Sequence, residues 1–224
     1  MSMPFYVAPE QLMKDKADFA RKGIARGRSL LATVCDVGIL ICAENSSATL
    51  HKIGEIYDRI AFAGVGKYNE FDQLRQAGVR NADVKGFQFS REDVNAQSLA
   101  SWYGQVINQI FTHDMKPLEV EILIAEVGSG GPDALYHILY DGTILDEAQS
   151  TVLGGDSEAI AARMDESFTE GWDVAGALKA AVAALSGPER SIPAADLEVA
   201  LLERDSERRS FRRLGDDEVT SLLA

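Results

Sequence analysis

Apolar positions along the chain fall into two kinds of pattern, and the two kinds come in blocks. Residues 30–35 and 39–43 are short apolar runs separated by Asp36-Val37-Gly38. Neither run alternates with period 2, which predicts strands covered on both faces. A second pair spans 52–56 and 60–63 around Tyr57-Asp58-Arg59. Further strands are expected at 120–127, 135–140, 143–145, 150–153, 197–202 and 209–213. Asp141-Gly142 reads as a turn, and Gly128-Ser129-Gly130-Gly131-Pro132 as a flexible loop.

Between these blocks the apolar period changes to that of a helix. Residues 9–28 open on Pro9 and Glu10, which suit a first helical turn, with Leu12, Met13 and Phe19 on one side. This helix carries Lys14, Lys16, Arg21, Lys22, Arg26 and Arg28 against Asp15 and Asp18. Tyr68, Phe71 and Leu74 mark another, with Gly78 as its stop. Leu99, Trp102, Tyr103, Val106, Ile107, Ile110 and Phe111 form the clearest stripe in the chain, with Ser90 as the expected N-cap and Gly104 as a point of close packing. Asp156 is expected to cap a helix bearing Ile160, Met164 and Phe168. Asp173 is expected to cap one bearing Val174, Leu178, Val182 and Leu185 and ending at Gly187-Pro188. A short helix opens on Asp216, Asp217 and Glu218. Strands, two helices, strands, two helices, strands is an α+β order. It predicts two sheets face to face with a helix pair outside each.

Composition narrows the functions. The length of 224 residues fits one domain, 1–224. A net charge of −13 argues against a nucleic-acid partner, which needs a basic face. No apolar run approaches the roughly 20 residues that span a bilayer, and the first residues lack the pattern of a secretory leader. Cys35 and Cys42 read as reduced core thiols of a cytoplasmic protein. His51, His113 and His137 show no metal-ligand spacing, so no metal is expected. No Gly-x-Ser-x-Gly elbow is present. Gly64-Val65-Gly66-Lys67 fails as a phosphate loop, because Ala61 and Tyr68 stand where glycine and Ser or Thr are needed. Asn69 breaks the dinucleotide fingerprint. No cofactor and no catalytic residue emerge.

Several stretches resemble one family. They are 19–29 (Phe-Ala-Arg-Lys-Gly-Ile-Ala-Arg-Gly-Arg-Ser), Ala43-Glu44-Asn45, 52–59 (Lys-Ile-Gly-Glu-Ile-Tyr-Asp-Arg), Ala63-Gly64, Asn69-Glu70-Phe71-Asp72 and 116–121 (Lys-Pro-Leu-Glu-Val-Glu). In this order over nearly the whole chain they are similar to proteasome α subunits of the actinobacterial kind. The resemblance implies the four-layer αββα sandwich of N-terminal nucleophile hydrolases. It also implies a non-catalytic subunit of a homo-heptameric α ring that caps rings of threonine-bearing β subunits. Its other partners would be a hexameric ATPase and substrates tagged with a ubiquitin-like protein.

The same resemblance gives candidate sites. Residues 1–8 would form a gating tail, with Met1, Ser2, Met3, Pro4, Phe5, Tyr6 and Val7 over the pore. The Tyr-Asp-Arg cluster of archaeal and eukaryotic relatives is missing there. Lys52 would receive an activator's C-terminal carboxylate, with the turn at Gly64 allowing close main-chain approach. Lys116, Pro117, Leu118 and Glu119 would line the inner pore. From the residues alone, Lys52 is a strand lysine facing Glu55 or solvent, and Pro117 an ordinary helix stop. The rival reading is a self-processing β-type peptidase with its nucleophile near Ser29. Against it, Ser29 is not threonine and Arg28 precedes it. Glu44 stands near the place of an aspartate, and no lysine falls between Glu44 and Leu50.

Overall fold

A computed structural model describes residues 8–128, 131–206 and 209–224. Numbered along the chain, the strands are β1 (Leu30–Cys35), β2 (Gly38–Glu44), β3 (Ile53–Tyr57), β4 (Ile60–Gly66), β5 (Val120–Glu126), β6 (Ala134–Ile138), β7 (Ile144–Glu147), β8 (Ser150–Leu153), β9 (Leu197–Glu203) and β10 (Phe211–Arg213). They form two five-stranded sheets, ordered β10-β9-β2-β1-β8 and β3-β4-β5-β6-β7. Every pairing is antiparallel.

The helices are α1 (Pro9–Ile24), α2 (Tyr68–Gln88), α3 (Ala96–His113), α4 (Ser157–Ser167), α5 (Val174–Ser186) and α6 (Asp216–Leu223). Three apolar clusters separate four layers. Leu30, Ala32, Ile39 and Ile41 meet Ala61, Ala63, Leu123 and Ala125 between the sheets. Leu31, Leu40 and Leu201 point the other way, onto Leu178 and Ala181 of α5. Phe62 and Ile124 face Phe71 of α2 and Leu99 and Tyr103 of α3. Alternate residues of one strand thus serve two cores, which is why the strand runs show no polar face. Each fully buried leucine or isoleucine contributes about 2 kcal/mol.

Helix α1 is built into this arrangement. Ala20 and Ile24 reach the inter-sheet cluster. Lys16, only 6% exposed, donates from Nζ to Phe111 O at 3.0 Å and Thr112 O at 3.4 Å. A lysine thus satisfies the last carbonyls of α3 and complements its dipole.

Several expected boundaries move. α1 ends at Ile24, four residues before Arg28. α2 runs through Gly78 to Gln88. Gly78 lies against the Tyr103 ring, whose hydroxyl donates to Leu74 O at 2.9 Å, so that glycine serves packing and not termination. Ser90 caps only the single 3-10 turn Arg91–Asp93, while Asn95 Oδ1 accepts from Ser98 N at 2.9 Å and starts α3. Asp156 makes no capping bond, whereas Asp173 accepts from Gly176 N at 2.7 Å. Phe168 lies past the end of α4, edge-on to Trp172. Gly104 does mark a close approach: a Cβ there would stand 2.9 Å from Ile144 Cδ1 and 3.0 Å from Gly142 O. Cys35 and Cys42 are buried free thiols. Among the described residues no helix is long and apolar enough to cross a membrane.

Candidate functional site

Residues 45–52 carry the chain from β2 in one sheet to β3 in the other, and side chains hold this crossing in shape. Asn45 Oδ1 accepts from Ser47 N at 3.1 Å, and Asn45 Nδ2 donates to Leu50 O at 2.8 Å. Ser47 Oγ accepts from Leu50 N at 3.1 Å. The crossing ends on Glu198 of β9, which is 7% exposed. Its Oε2 accepts from Asn45 Nδ2 at 2.7 Å and Lys52 N at 2.8 Å, and its Oε1 from Ile53 N at 3.2 Å and from Arg213. Arg213 Nη2 also donates to Ile53 O at 2.7 Å.

Lys52 is therefore fixed on every side. Its N–H is held by Glu198, and its carbonyl accepts from Gly64 N at 3.0 Å. Its Nζ donates to Arg28 O at 2.7 Å and Glu44 O at 2.9 Å. An ammonium has three N–H groups, so two main-chain carbonyls leave one to spare. Burial pushes its pKa from the ordinary 10.5 down to about 8, against the pull of the Glu198 and Glu44 charges and with help from Arg28.

Glu44 does not neutralise this lysine, because its carboxylate is engaged elsewhere. Arg190 binds it through both oxygens at 2.9 and 2.7 Å, and Arg28 approaches at 3.3 Å. Burial pushes Glu44 up, yet Arg190, Arg28 and Lys52 together hold it below the usual carboxylate range. The result is a partly buried cation that rests on carbonyl dipoles with one donor free. Such a group suits a carboxylate.

The structure thus brings Lys52 and Gly64 together. It corrects two expectations about them. Lys52 does not face Glu55, which pairs with Arg209 Nε at 2.7 Å. Gly64 lies inside β4 and not in a turn: a Cβ there would stand 2.7 Å from Phe71 Cγ, so the α2 ring makes the close approach. The lysine sought between Glu44 and Leu50 is also present, just beyond that window, as Lys52 against the Arg28–Ser29 peptide. The nucleophile reading still fails. Ser29 N is an amide following α1, and a free amine there would require cutting away a helix that buries Ala20 and Ile24 in the core.

The pore candidates lie between α3 and β5. Helix α3 stops at His113, before Pro117, and Asp114 already has extended backbone at ψ 150°. Pro117 is buried, and Leu118 packs in part against the α2–α3 cluster. Met115, which the sequence reading passed over, is 98% exposed. Lys116 Nζ meets Glu70 Oε1 at 2.7 Å and Glu119 Oε2 at 3.3 Å, and Glu119 N donates to Glu70 Oε2 at 2.7 Å. Burial lowers the Lys116 pKa, but hydrogen bonds and charge from Glu70 and Glu119 outweigh it and raise the net value. A Cβ on Gly23 would touch Glu119 at 2.6 Å, so α1 packs directly on this network.

Met1 to Val7 lie outside the described residues. Among those described, no group of three or more His, Cys, Asp and Glu could hold a metal ion. Glu198 was missed in the sequence, although a glutamate inside the apolar run 197–202 is a sign of a paired, buried charge.

The proteasome subunit family model matches residues 24–190. The chain is 60% identical over 224 residues to a protein named proteasome subunit alpha from Acidimicrobium ferrooxidans, covering all of this chain and 97% of that one. It is 53% identical to the proteasome subunit alpha of an Arthrobacter species, over all of this chain and 99% of the relative. The same identity holds for the proteasome subunit alpha of Streptosporangium roseum, of which 88% is covered.

Proposed function

The chain belongs to the proteasome subunit family, and from that premise we propose that it is a non-catalytic α-type subunit, forming an outer heptameric ring that admits substrates and docks an activator. In this reading the ring caps β subunits that carry the peptidase sites. A hexameric ATPase docks on it and delivers proteins tagged with a ubiquitin-like protein, in the cytoplasm. Residues 1–8 gate the axial pore, and Lys116, Pro117, Leu118 and Glu119 form a ring of chain inside it.

One observation carries the docking part of this reading. The Lys52 ammonium is held by two main-chain carbonyls, Arg28 O and Glu44 O, and pairs with no carboxylate among the described residues. A carboxylate arriving at a chain terminus supplies the missing counter-charge. A partly desolvated ion pair of this kind is stronger than an exposed one.

The assembled α/β particle provides the test, with peptide hydrolysis as readout. Lys52→Ala should abolish stimulation by a peptide copying the ATPase C-terminus. Deletion of Met1 to Val7 should speed hydrolysis without any activator. Normal stimulation of the assembled Lys52→Ala particle would remove the docking role, and unchanged hydrolysis after the deletion would remove the gate.

A further inference from the structure

We propose that Glu198 is the positioning residue of the Lys52 site, its buried carboxylate fixing where the lysine ammonium meets an incoming carboxylate. The inference rests on the docking reading of Lys52 given above.

Glu198 stands on β9 of one sheet, and Lys52 leads into β3 of the other, so the carboxylate ties the two sheets where the site is built. It accepts from Asn45 Nδ2, Lys52 N, Ile53 N and Arg213, and His51 Nδ1 lies 3.4 Å from Oε1. A carboxylate offers about four acceptor positions, and here they are filled. Two of these donors are consecutive main-chain N–H groups, so they set the backbone from which the Lys52 side chain springs. A chain held this way at both N–H and carbonyl, the latter by Gly64, has little freedom to re-aim Nζ.

Glutamine at 198 keeps the size of glutamate but turns one oxygen into an N–H donor. That donor then faces another donor, whichever way the amide lies. The change also removes a negative charge near Nζ. The charged groups around Nζ are Glu44 from β2, already bound to Arg190 and Arg28; Glu198 from β9, shared with Arg213 and His51; and Arg28, which repels. Glu198 is the first of the charges that raise the Lys52 pKa, so its loss moves that value further below about 8.

The test uses the α/β particle and a peptide that copies the ATPase C-terminus and ends in a free carboxylate, with its C-terminal amide as control. Glu198→Gln should raise the peptide concentration for half-maximal stimulation about tenfold, the equivalent of roughly one pKa unit, with the plateau retained. The pH profile of stimulation should move to lower pH. Trace acetylation of the full chain across the neutral to alkaline range, read by mass spectrometry at Lys52, should show the same displacement. A merely structural glutamate would lower the melting temperature and leave the half-maximal concentration and the Lys52 titration unmoved, and that result overturns the proposal. Should the Glu198→Gln particle fail to assemble, Asn45→Ala removes one donor from the same carboxylate and keeps its charge. It should raise the half-maximal concentration about threefold, and an unchanged value overturns the proposal. If Lys52→Ala leaves stimulation intact, the docking reading falls and this proposal with it. If Lys52→Ala abolishes stimulation while Glu198→Gln changes nothing, only this proposal falls.

Discussion

Lys52 and Lys116 both sit beside two glutamates, yet the protein leaves them in opposite electrostatic states. The pKa of Lys52 is pushed down, and that of Lys116 is raised. The difference lies first in burial, which is deeper at Lys52, and then in what the neighbouring carboxylates are already doing. Around Lys52, Glu44 is taken by Arg190 and Glu198 by Arg213 and main-chain N–H groups. Around Lys116, Glu70 and Glu119 turn oxygens directly onto the ammonium. The Glu44 and Glu198 charges still pull the Lys52 value up, but neither carboxylate binds the ammonium directly and burial wins. Lys116 is thus committed to its own loop, while Lys52 makes two of its three possible donations, to main-chain carbonyls, as the proposed docking role requires.

This contrast makes its largest demand on the pH dependence of stability. Lys52 has a folded-state value below the unfolded one, so between about 8 and 10.5 the unfolded chain binds more protons. Stability then rises with pH through that window, and the penalty is fully present below it. Measured against Lys52→Met by chemical unfolding, the intact protein should gain on the order of 3 kcal/mol from neutral pH to above 10.5. A flat difference across that range would mean that Lys52 is not desolvated and that the contrast with Lys116 does not exist.

A smaller effect is expected at the other lysine's main partner. Glu70→Ala strips a counter-ion from Lys116 and leaves Glu119 N without its acceptor, at a cost of about 2 kcal/mol. The loss should be visible in thermal unfolding, with activator stimulation retained in the α/β particle. Equal loss of stimulation and stability would show that the two lysine sites are one unit.

The smallest change belongs to Lys116→Ala. The side chain is 47% exposed, so its ion pairs contribute about 0.5 kcal/mol and less in high salt. A salt-insensitive loss several times larger would mean that the Lys116 charge is as sheltered as that of Lys52.

Much of the layered fold was legible in the chain. The runs at 30–35 and 39–43 lack a polar face because each strand serves an inter-sheet core and a helix-side core, and that duty leaves a direct mark on sequence. Gly78 misled because a glycine that admits the Tyr103 ring reads the same as one that ends a helix. Ser90 and Asn95 lie five residues apart, and only the geometry tells which of them opens the long helix. At the site, the choice of Lys52 came from resemblance, and its environment could not be read at all. Its partners are the carbonyls of Arg28 and Glu44, and a main-chain oxygen carries no side-chain signature. Glu55, the neighbour that spacing offered, is drawn away by Arg209, which lies 154 residues along the chain.

The lysine that closes the end of α3 has a consequence for how the chain comes together in time. Lys16 makes its two bonds across 95 and 96 residues. A ribosome adds roughly 5–20 residues per second, so α1 emerges several seconds before the strand and helix ends that receive it. The first helix to be made cannot make these bonds until about half of the chain has been synthesised. Until then the inter-sheet core lacks Ala20 and Ile24, and the nascent chain stays open at the face where α1 will close it.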